Sequence, residues 1–467
     1  MNKLKILFLL VMCASNAQTY TFPDETEPHE GTWLAWPHQY EYGNTYRNEN
    51  DATWVAMTKA LQANEKVHII AYNSTEKTRI TGLLNTARVP LTNVNFVIAQ
   101  TNDVWMRDTA AIYVRDASGN LVMQDWGFNG WGGDYRYSKD NLVPTAMGNA
   151  TNRTPLNLNS TLVIEGGSWE MDGAGTLMAT KSSVLAQTNP TSPSGIKALR
   201  NVGKTQAQVE AVLRQYVGAR KFIWLDGWFS QDDITDAHID GFAKFVPGNK
   251  LVTMNQTDLL YWGVPQSDIT KLYNATNADN VPYTKVFIPL TANNVKKTNG
   301  TNLGYKGSYA NYYVANNRVL VPNYNDPNDA VANAIIGGLY PGRTVVGIDV
   351  RNLYGNGGMV HCVTQQQPMG PTLSVSDYGL NTTTLKITPN PTNGITTIDM
   401  DLKESKPVAF ELYNMTGRKV MELKEQNYLP GNNTVTLNLN ALQNGIYFCK
   451  IMVEGKAVVS KKIILSR

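Results

Sequence analysis

Over most of the chain, apolar residues fall into two alternating patterns. Short runs such as "KVHIIAY" (66–72), "NFVIAQ" (95–100), "AAIYV" (110–114), "TLVIEGG" (161–167) and "RTVVGIDV" (343–350) end in polar turns and read as strands. Between them, "NDATWVAMTKALQ" (50–62) and "KTQAQVEAVLRQYV" (204–217) carry apolar residues at helical spacing. Strands separated by helices predict an α/β domain over residues 18–373. Near 375 the pattern changes. "VAFELYNMTG", "TVTLNL", "GIYFCKIMVEG" and "VVSKKIIL" alternate with period two between Asn-Gly and Pro-Gly type turns. That predicts a small all-β sandwich over 385–467, joined by a linker at 374–384.

The first residues follow neither pattern. "MNKLKILFLLVMCASNAQ" has Lys3 and Lys5, an apolar run and a small-residue end at Ser15 and Ala17, which predicts a signal peptide over 1–17. Acylation at Cys13 is the weaker alternative, because bulky Val11 and Met12 precede it. No later stretch is apolar for long enough to cross a bilayer as a helix.

Composition narrows the function classes. Formal net charge is +3 with 17% charged residues, too mild and too scattered for a nucleic-acid groove. Five histidines and three cysteines do not suit a metal-rich protein. With the leader removed, Cys362 and Cys449 remain, far apart in sequence, and both are expected to be free thiols. Cys449 sits inside a β run of the C-terminal segment and reads as a buried structural residue.

Chemistry concentrates at four strand ends of the α/β domain. "NDVWMRD" (102–108) holds Asp103, Trp105 and Asp108. "VIEGGSWEMDGAGT" (163–176) puts Glu165 at the end of an apolar strand, before a Gly pair. "DAHIDGFAKF" (236–245) has His238 and Asp240 two residues apart, and "GNGGMVHCVTQQQP" (355–368) supplies His361 and Cys362. Each alone has an ordinary reading as a cap, a turn or a hydrogen-bonded pair. Together they give a thiol, an imidazole and at least three carboxylates in a weakly charged chain. A Cys–His pair suggests acyl transfer, as in thiol proteases. Several acids facing the thiol would instead raise its pKa, an arrangement that makes sense when the substrate brings its own positive charge. A guanidinium does so, and two carboxylates can clamp its planar N–H donors. A metal site, the rival explanation of clustered acids, lacks suitable His or Cys spacing.

These motifs resemble those of the agmatine deiminase family, within the group that includes the bacterial peptidyl-arginine deiminases. The likeness runs from "EPHEGTWLAWP" (27–37) to "HCVTQQQP" (361–368) and includes "DWGFNGWGG" and "AHIDGFAKF", in order. It implies a five-bladed, pseudo-symmetric α/β propeller with no metal or organic cofactor. It implies Cys362 as nucleophile, Asp108 and Asp240 as guanidinium clamps, and His238 as general acid then base. Glu165 would orient His238 and bind a substrate nitrogen, Trp105 would cover the guanidinium face, and Trp131 would line the pocket. Gly357 and Gly358 would let backbone pass close to the substrate. Ala237 stands where the family usually has glycine.

The peptidyl enzymes of this group carry an arginine pair suited to a carboxylate. Here "DWGFNGWGGD" (125–134) has none, which favours agmatine, with Asp134 as a conceivable partner for its ammonium and Arg136 as a conceivable carboxylate partner. Peptidyl or free arginine is the alternative substrate; a protease or a non-enzymatic binding protein is the remoter one. The C-terminal segment resembles a type IX secretion sorting domain through "ITPNPTNG" (387–394), "ELYNMTGRKV" (411–420), "NALQNGIYFCKI" (440–451) and Lys461–Lys462. That implies export to the medium or cell surface, with the type IX machinery as partner. An adhesive or sugar-binding sandwich is the other reading. Oligomeric state is left open, a dimer included.

Overall fold

The computed structural model describes residues 20–185, 191–192, 195–196, 200–230, 233–370, 382–414, 418–453 and 456–467. The expected signal peptide and most of the expected linker lie outside the described residues. The chain divides into two compact units, Met1–Gly370 and Pro371–Arg467.

In the first unit one local plan recurs. A hairpin is followed by a helix that crosses back to a strand parallel to the second hairpin strand. Thr176–Thr180 pairs antiparallel with Trp169–Met171 and parallel with Lys221–Leu225, reached through the helix Gln206–Val217. Arg318–Asn323 pairs in the same way with Tyr313–Ala315 and Thr344–Asp349, through Asn328–Leu339. Leu121–Gly127 and Lys250–Thr253 are the middle strands of equivalent sheets. His29–Ala35 pairs parallel with Lys66–Ala71 but takes its antiparallel partner, Gln365–Pro368, from the far end of the unit, with Trp33 opposite Gln365.

The five-bladed propeller expected from the resemblance is not what the structure shows. The fold is mixed α/β with several small sheets of two to four strands, none closed or strongly curled. In the sheets centred on Thr176–Thr180, Lys250–Thr253 and Arg318–Asn323, a hairpin strand flanks the middle strand on one side and a crossover strand on the other, and the ladder ends there. Alternation of strand and helix along the chain specifies that local plan and carries no information on closure.

The helices have local causes. Gln206–Val217 starts on a capping box between Thr205 and Gln208, ends on left-handed Gly218, and buries Val209, Leu213 and Val217 on one face. In Gln39–Leu61, a break at Gly43 (φ +81°) separates a polar first turn from the segment that buries Trp54, Met57 and Leu61.

The second unit is all-β. One antiparallel sheet runs Thr382–Thr388, Ile395–Leu402, Gly431–Asn438. The other runs Lys419–Tyr428, Lys406–Asn414, Gly445–Val453, Lys456–Leu465. Alternate residues of both, among them Ile398, Met400, Phe410, Leu412, Ile451 and Ile463, form one core. Cys449 lies within it, and burial pushes its thiol up to about 12. Cys362 and Cys449 are both free.

Candidate active site

Four strand ends converge. Cys362 sits in the short 3-10 turn His361–Val363, which leads into the strand Gln365–Pro368. Asp108 is in the single helical turn Met106–Thr109. His238 precedes the turn Ile239–Gly241, which contains Asp240, and Glu165 precedes the turn Gly166–Ser168. Asp108, Glu165, His238 and Asp240 are all buried.

Asp108 accepts hydrogen bonds from the Gly167 backbone N–H and from Trp131 Nε1, each at 3.0 Å. Burial, reinforced by the Glu165 and Asp240 charges, raises its carboxyl to about 6 even though His238 pulls the other way. His238 Nε2 lies 2.8 Å from Glu165 Oε2, and its Nδ1 lies 3.8 Å from Asp108 Oδ1. Burial disfavours the charged imidazole, but Asp108 and Glu165 outweigh it and hold its pKa up at about 9. Glu165 is in turn clamped by Arg200, with Nε on Oε1 at 2.8 Å and Nη2 on Oε2 at 3.0 Å. Despite burial, Arg200 and His238 bring Glu165 down to about 2. Arg200 also pairs with Asp236, so it enters the site fully committed.

Asp240 Oδ2 is 2.9 Å from His361 Nδ1 and 3.8 Å from Cys362 Sγ. Burial pushes the Asp240 carboxyl up, and the His361 hydrogen bond leads the influences that overcome it and leave it below the usual range. The Cys362 thiol is driven well above its ordinary value by burial and by the Asp240 and Asp108 charges. Asn311 completes this side. Its Nδ2 is 3.3 Å from Sγ, while its Oδ1 accepts from the His361 and Cys362 backbone N–H groups at 2.9 and 3.3 Å.

Glycine is demanded at two places. A Cβ on Gly167 would stand 2.6 Å from His238 Nδ1, 3.0 Å from Asp108 Oδ1 and 3.1 Å from Asp240 Oδ2. A Cβ on Gly358 would fall 2.1 Å from the Trp105 ring. Gly358 therefore makes room for Trp105, not directly for a ligand. Ala237 and its neighbour Asp236 have φ of +68° and +60°, the left-handed region that glycine occupies freely. This is the physical sense of a glycine preference there.

Two expected roles shift. Trp131 is fully buried and spends its N–H on Asp108, so it supports the acid. Both Glu165 oxygens are engaged by Arg200 and His238, which suits orientation of His238 better than contact with a substrate nitrogen. Trp105 packs its ring against Gly358. Arg136 is an exposed side chain whose Nη1 lies 3.4 Å from Glu41. Asn311 and Arg200 belong to the site but to none of the four motifs. Asn311, a polar residue inside the tyrosine-rich stretch "SYANYY", was the only sequence signal available for it. His361, beside the thiol in sequence, faces Asp240 instead. Among the described residues no group of His, Cys, Asp and Glu is arranged to hold a metal ion, and no helix is long and apolar enough to cross a membrane.

Comparison with known proteins follows the same division of the chain. Residues 21–368 match the Porphyromonas-type peptidyl-arginine deiminase family, and residues 386–466 match the secretion system C-terminal sorting domain. An agmatine deiminase of Pseudomonas aeruginosa is 30% identical over 376 residues, covering 75% of this chain and 96% of the relative. A solved Porphyromonas gingivalis protein, provisionally named an arginine deiminase, is 29% identical with a TM-score of 0.63, over 75% of this chain and 98% of its own. The agmatine deiminase of Enterococcus faecalis, 23% identical, has a TM-score of 0.63 over 76% and 97% and shares the fold.

Proposed function

The chain belongs to the Porphyromonas-type peptidyl-arginine deiminase family, carries a type IX sorting domain and is exported; from that premise we propose that it hydrolyses the guanidino group of arginine, free or in peptides, through a covalent intermediate on Cys362. It is a hydrolase of the agmatine and peptidyl-arginine deiminase superfamily. The observation that carries the mechanism is the meeting of the Cys362 thiol, 3.8 Å from buried Asp240, with a second buried carboxylate, Asp108, which lies 3.8 Å from the His238 imidazole.

In the free enzyme the acids keep Cys362 protonated. A guanidinium entering between Asp108 and Asp240 neutralises them, so the thiol can give its proton to solvent water and attack the central carbon as the thiolate. The neutral tetrahedral adduct accepts a proton from His238 on one nitrogen and expels ammonia, leaving a cationic amidino-thioether. His238, now neutral, takes a proton from water as that water attacks the same carbon. Collapse of the second adduct releases the ureido product and expels the sulfur, which takes up the adduct's hydroxyl proton and restores the resting thiol, while the proton given to solvent earlier ends on ammonia. Asn311 Nδ2, beside the sulfur, is placed to stabilise the thiolate.

The choice of arginine over agmatine rests on export and on the family description. The lack of arginine in 125–134 loses its force as an argument for agmatine, because Trp131 from that stretch turns onto Asp108. Agmatine remains the second reading, supported by the names of the curated relatives. Specificity constants for free arginine, peptides with internal or C-terminal arginine, and agmatine decide between them. Arginine-containing substrates should lead by about tenfold or more, the scale of one charge-assisted hydrogen bond that the smaller substrate has no group to make. A lead for agmatine would overturn the substrate assignment and leave the deimination chemistry standing.

A further inference from the structure

The two clamping acids are held by opposite arms, and only one arm has been given work. Asp108 faces His238, which is fixed by Glu165 and Arg200. Asp240 faces His361, whose Nδ1 lies 2.9 Å from Oδ2. On the other edge of the ring, His361 Nε2 is 3.1 Å from Glu25 Oε1 and 3.2 Å from Lys244 Nζ. Lys244 Nζ bridges Glu25 Oε2 at 2.8 Å and Glu170 Oε1 at 3.0 Å. Arg107 pairs with Glu25 at 3.3 Å and donates to the His361 carbonyl oxygen at 3.4 Å.

His361, Lys244, Glu170 and Arg107 are buried and Glu25 is partly buried, and they border a polar cavity of about 30 Å³ that Asp240 does not line. Gln365 Oε1 and Trp169 Nε1, which also border it, have no protein hydrogen-bond partner. Such a space holds water rather than a substrate. The imidazole is thus held at both nitrogens, by Asp240 on one edge and by Glu25 and Lys244 on the other.

We propose that His361 is a positioning residue: its Nδ1–H aims the Asp240 carboxylate across the nucleophile, and Glu25 and Lys244 lock the ring that does so. The proposal rests on the deimination reading of the site and assigns its second arm. Asp240 is shared between His361 and the thiol, so any rotation that broke the His361 bond would also change what Cys362 faces. A guanidinium would then meet one aimed carboxylate instead of two. Ground-state binding suffers first, because the clamp is in place before any bond forms.

The test uses the full chain with His361→Leu, which removes the donor, and His361→Asn, whose amide N–H can occupy the Nδ1 position. His361→Leu should lower kcat/KM by about 100-fold, mostly as a rise in KM, and His361→Asn should recover it to within about tenfold of the parent. A second readout needs no substrate: alkylation of Cys362 by iodoacetamide, followed on its peptide by mass spectrometry. The titratable and charged groups around Asp240 are His361, His238, Arg107 and Asp108, with the Cys362 thiol; those around His361 on its other side are Glu25, Glu170, Lys244 and Arg107. Without the His361 bond, buried Asp240 takes up a proton more readily, one negative charge beside the thiol disappears, and alkylation near neutral pH should become several-fold faster. Lower turnover with faster alkylation in His361→Leu, both reversed in His361→Asn, supports the proposal. Unchanged kinetics in His361→Leu, or equal losses in both variants with unchanged alkylation, overturns it. Should His361→Leu not fold, His361→Asn decides alone, and a loss of about 100-fold there overturns the assignment. If the parent enzyme turns over no guanidino compound, the functional proposal fails, and the alkylation comparison still decides for or against His361.

Discussion

Cys362 lies among carboxylates, Asp240 and Asp108, that oppose its ionisation, and in the proposed mechanism the arriving guanidinium supplies the opposite charge. Of the five acid, base and thiol residues named from the motifs, His238 and Glu165 lie 2.8 Å apart, Asp108 is 3.8 Å from His238, and Asp240 is 3.8 Å from the Cys362 sulfur. They were legible because each motif presents a chemically distinctive side chain at a strand end. Asn311 and Arg200 were not, since an amide or a guanidinium outside a motif shows its partner only after distant segments meet. Trp131 illustrates the same limit: its presence was readable, but the choice of Asp108 as acceptor for its N–H was not. The residue scale also fixes a pH profile. In the proposed mechanism Asp108, raised to about 6, clamps the cation when ionised, and His238, raised to about 9, releases ammonia when protonated. kcat/KM should therefore rise with pH through about 6 and fall through about 9. The same His238 shift links to stability. Its folded pKa lies above the ordinary 6.5, so its contribution is complete below 6.5 and is lost as pH rises through about 9. A rate profile falling already at neutrality would contradict this electrostatic account.

At the scale of elements, tight turns do most of the positioning. The spacing of Trp54, Met57 and Leu61, or of Val209, Leu213 and Val217, made the helices readable. The sheets were less so, because their pairings join residues far apart, as Trp33 and Gln365 do. The Gly166–Ser168 turn gives a direct test. Gly167→Ala puts a methyl group among His238, Asp108 and Asp240, at 2.6 to 3.1 Å from their nearest atoms. The imidazole has to move, and kcat/KM should fall about 100-fold or more, since a misplacement of about 1 Å can have that effect. Far-ultraviolet circular dichroism should remain that of the parent. Activity within about threefold of the parent would mean that the turn does not hold the constellation together as described.

At the scale of the whole molecule, composition separated the two units more clearly than it specified either fold. The shift from mixed α/β patterning to pure alternation near 375 was visible without any motif. The five-bladed architecture was drawn from family likeness, and the small open sheets correct it. The sorting domain occupies residues 386–466, while Cys362 and the candidate site residues around it all lie within 21–368. Delivery and chemistry are therefore expected to separate genetically. A chain lacking 386–466 should remain with the cells, and Cys362→Ser in the full chain should still reach the medium or cell surface. Fractionation with immunodetection distinguishes these outcomes, and equal export with and without 386–466 would remove the sorting role.

The central claim is that Cys362 forms the covalent bond to the substrate carbon. The most direct measurement is ammonia release from arginine-containing substrates by the full chain and by its Cys362→Ser variant, at matched folding by circular dichroism. Loss of the nucleophile should lower turnover by at least about 10³-fold, leaving only what binding and the clamping carboxylates supply. Turnover by Cys362→Ser within about tenfold of the parent would contradict the account.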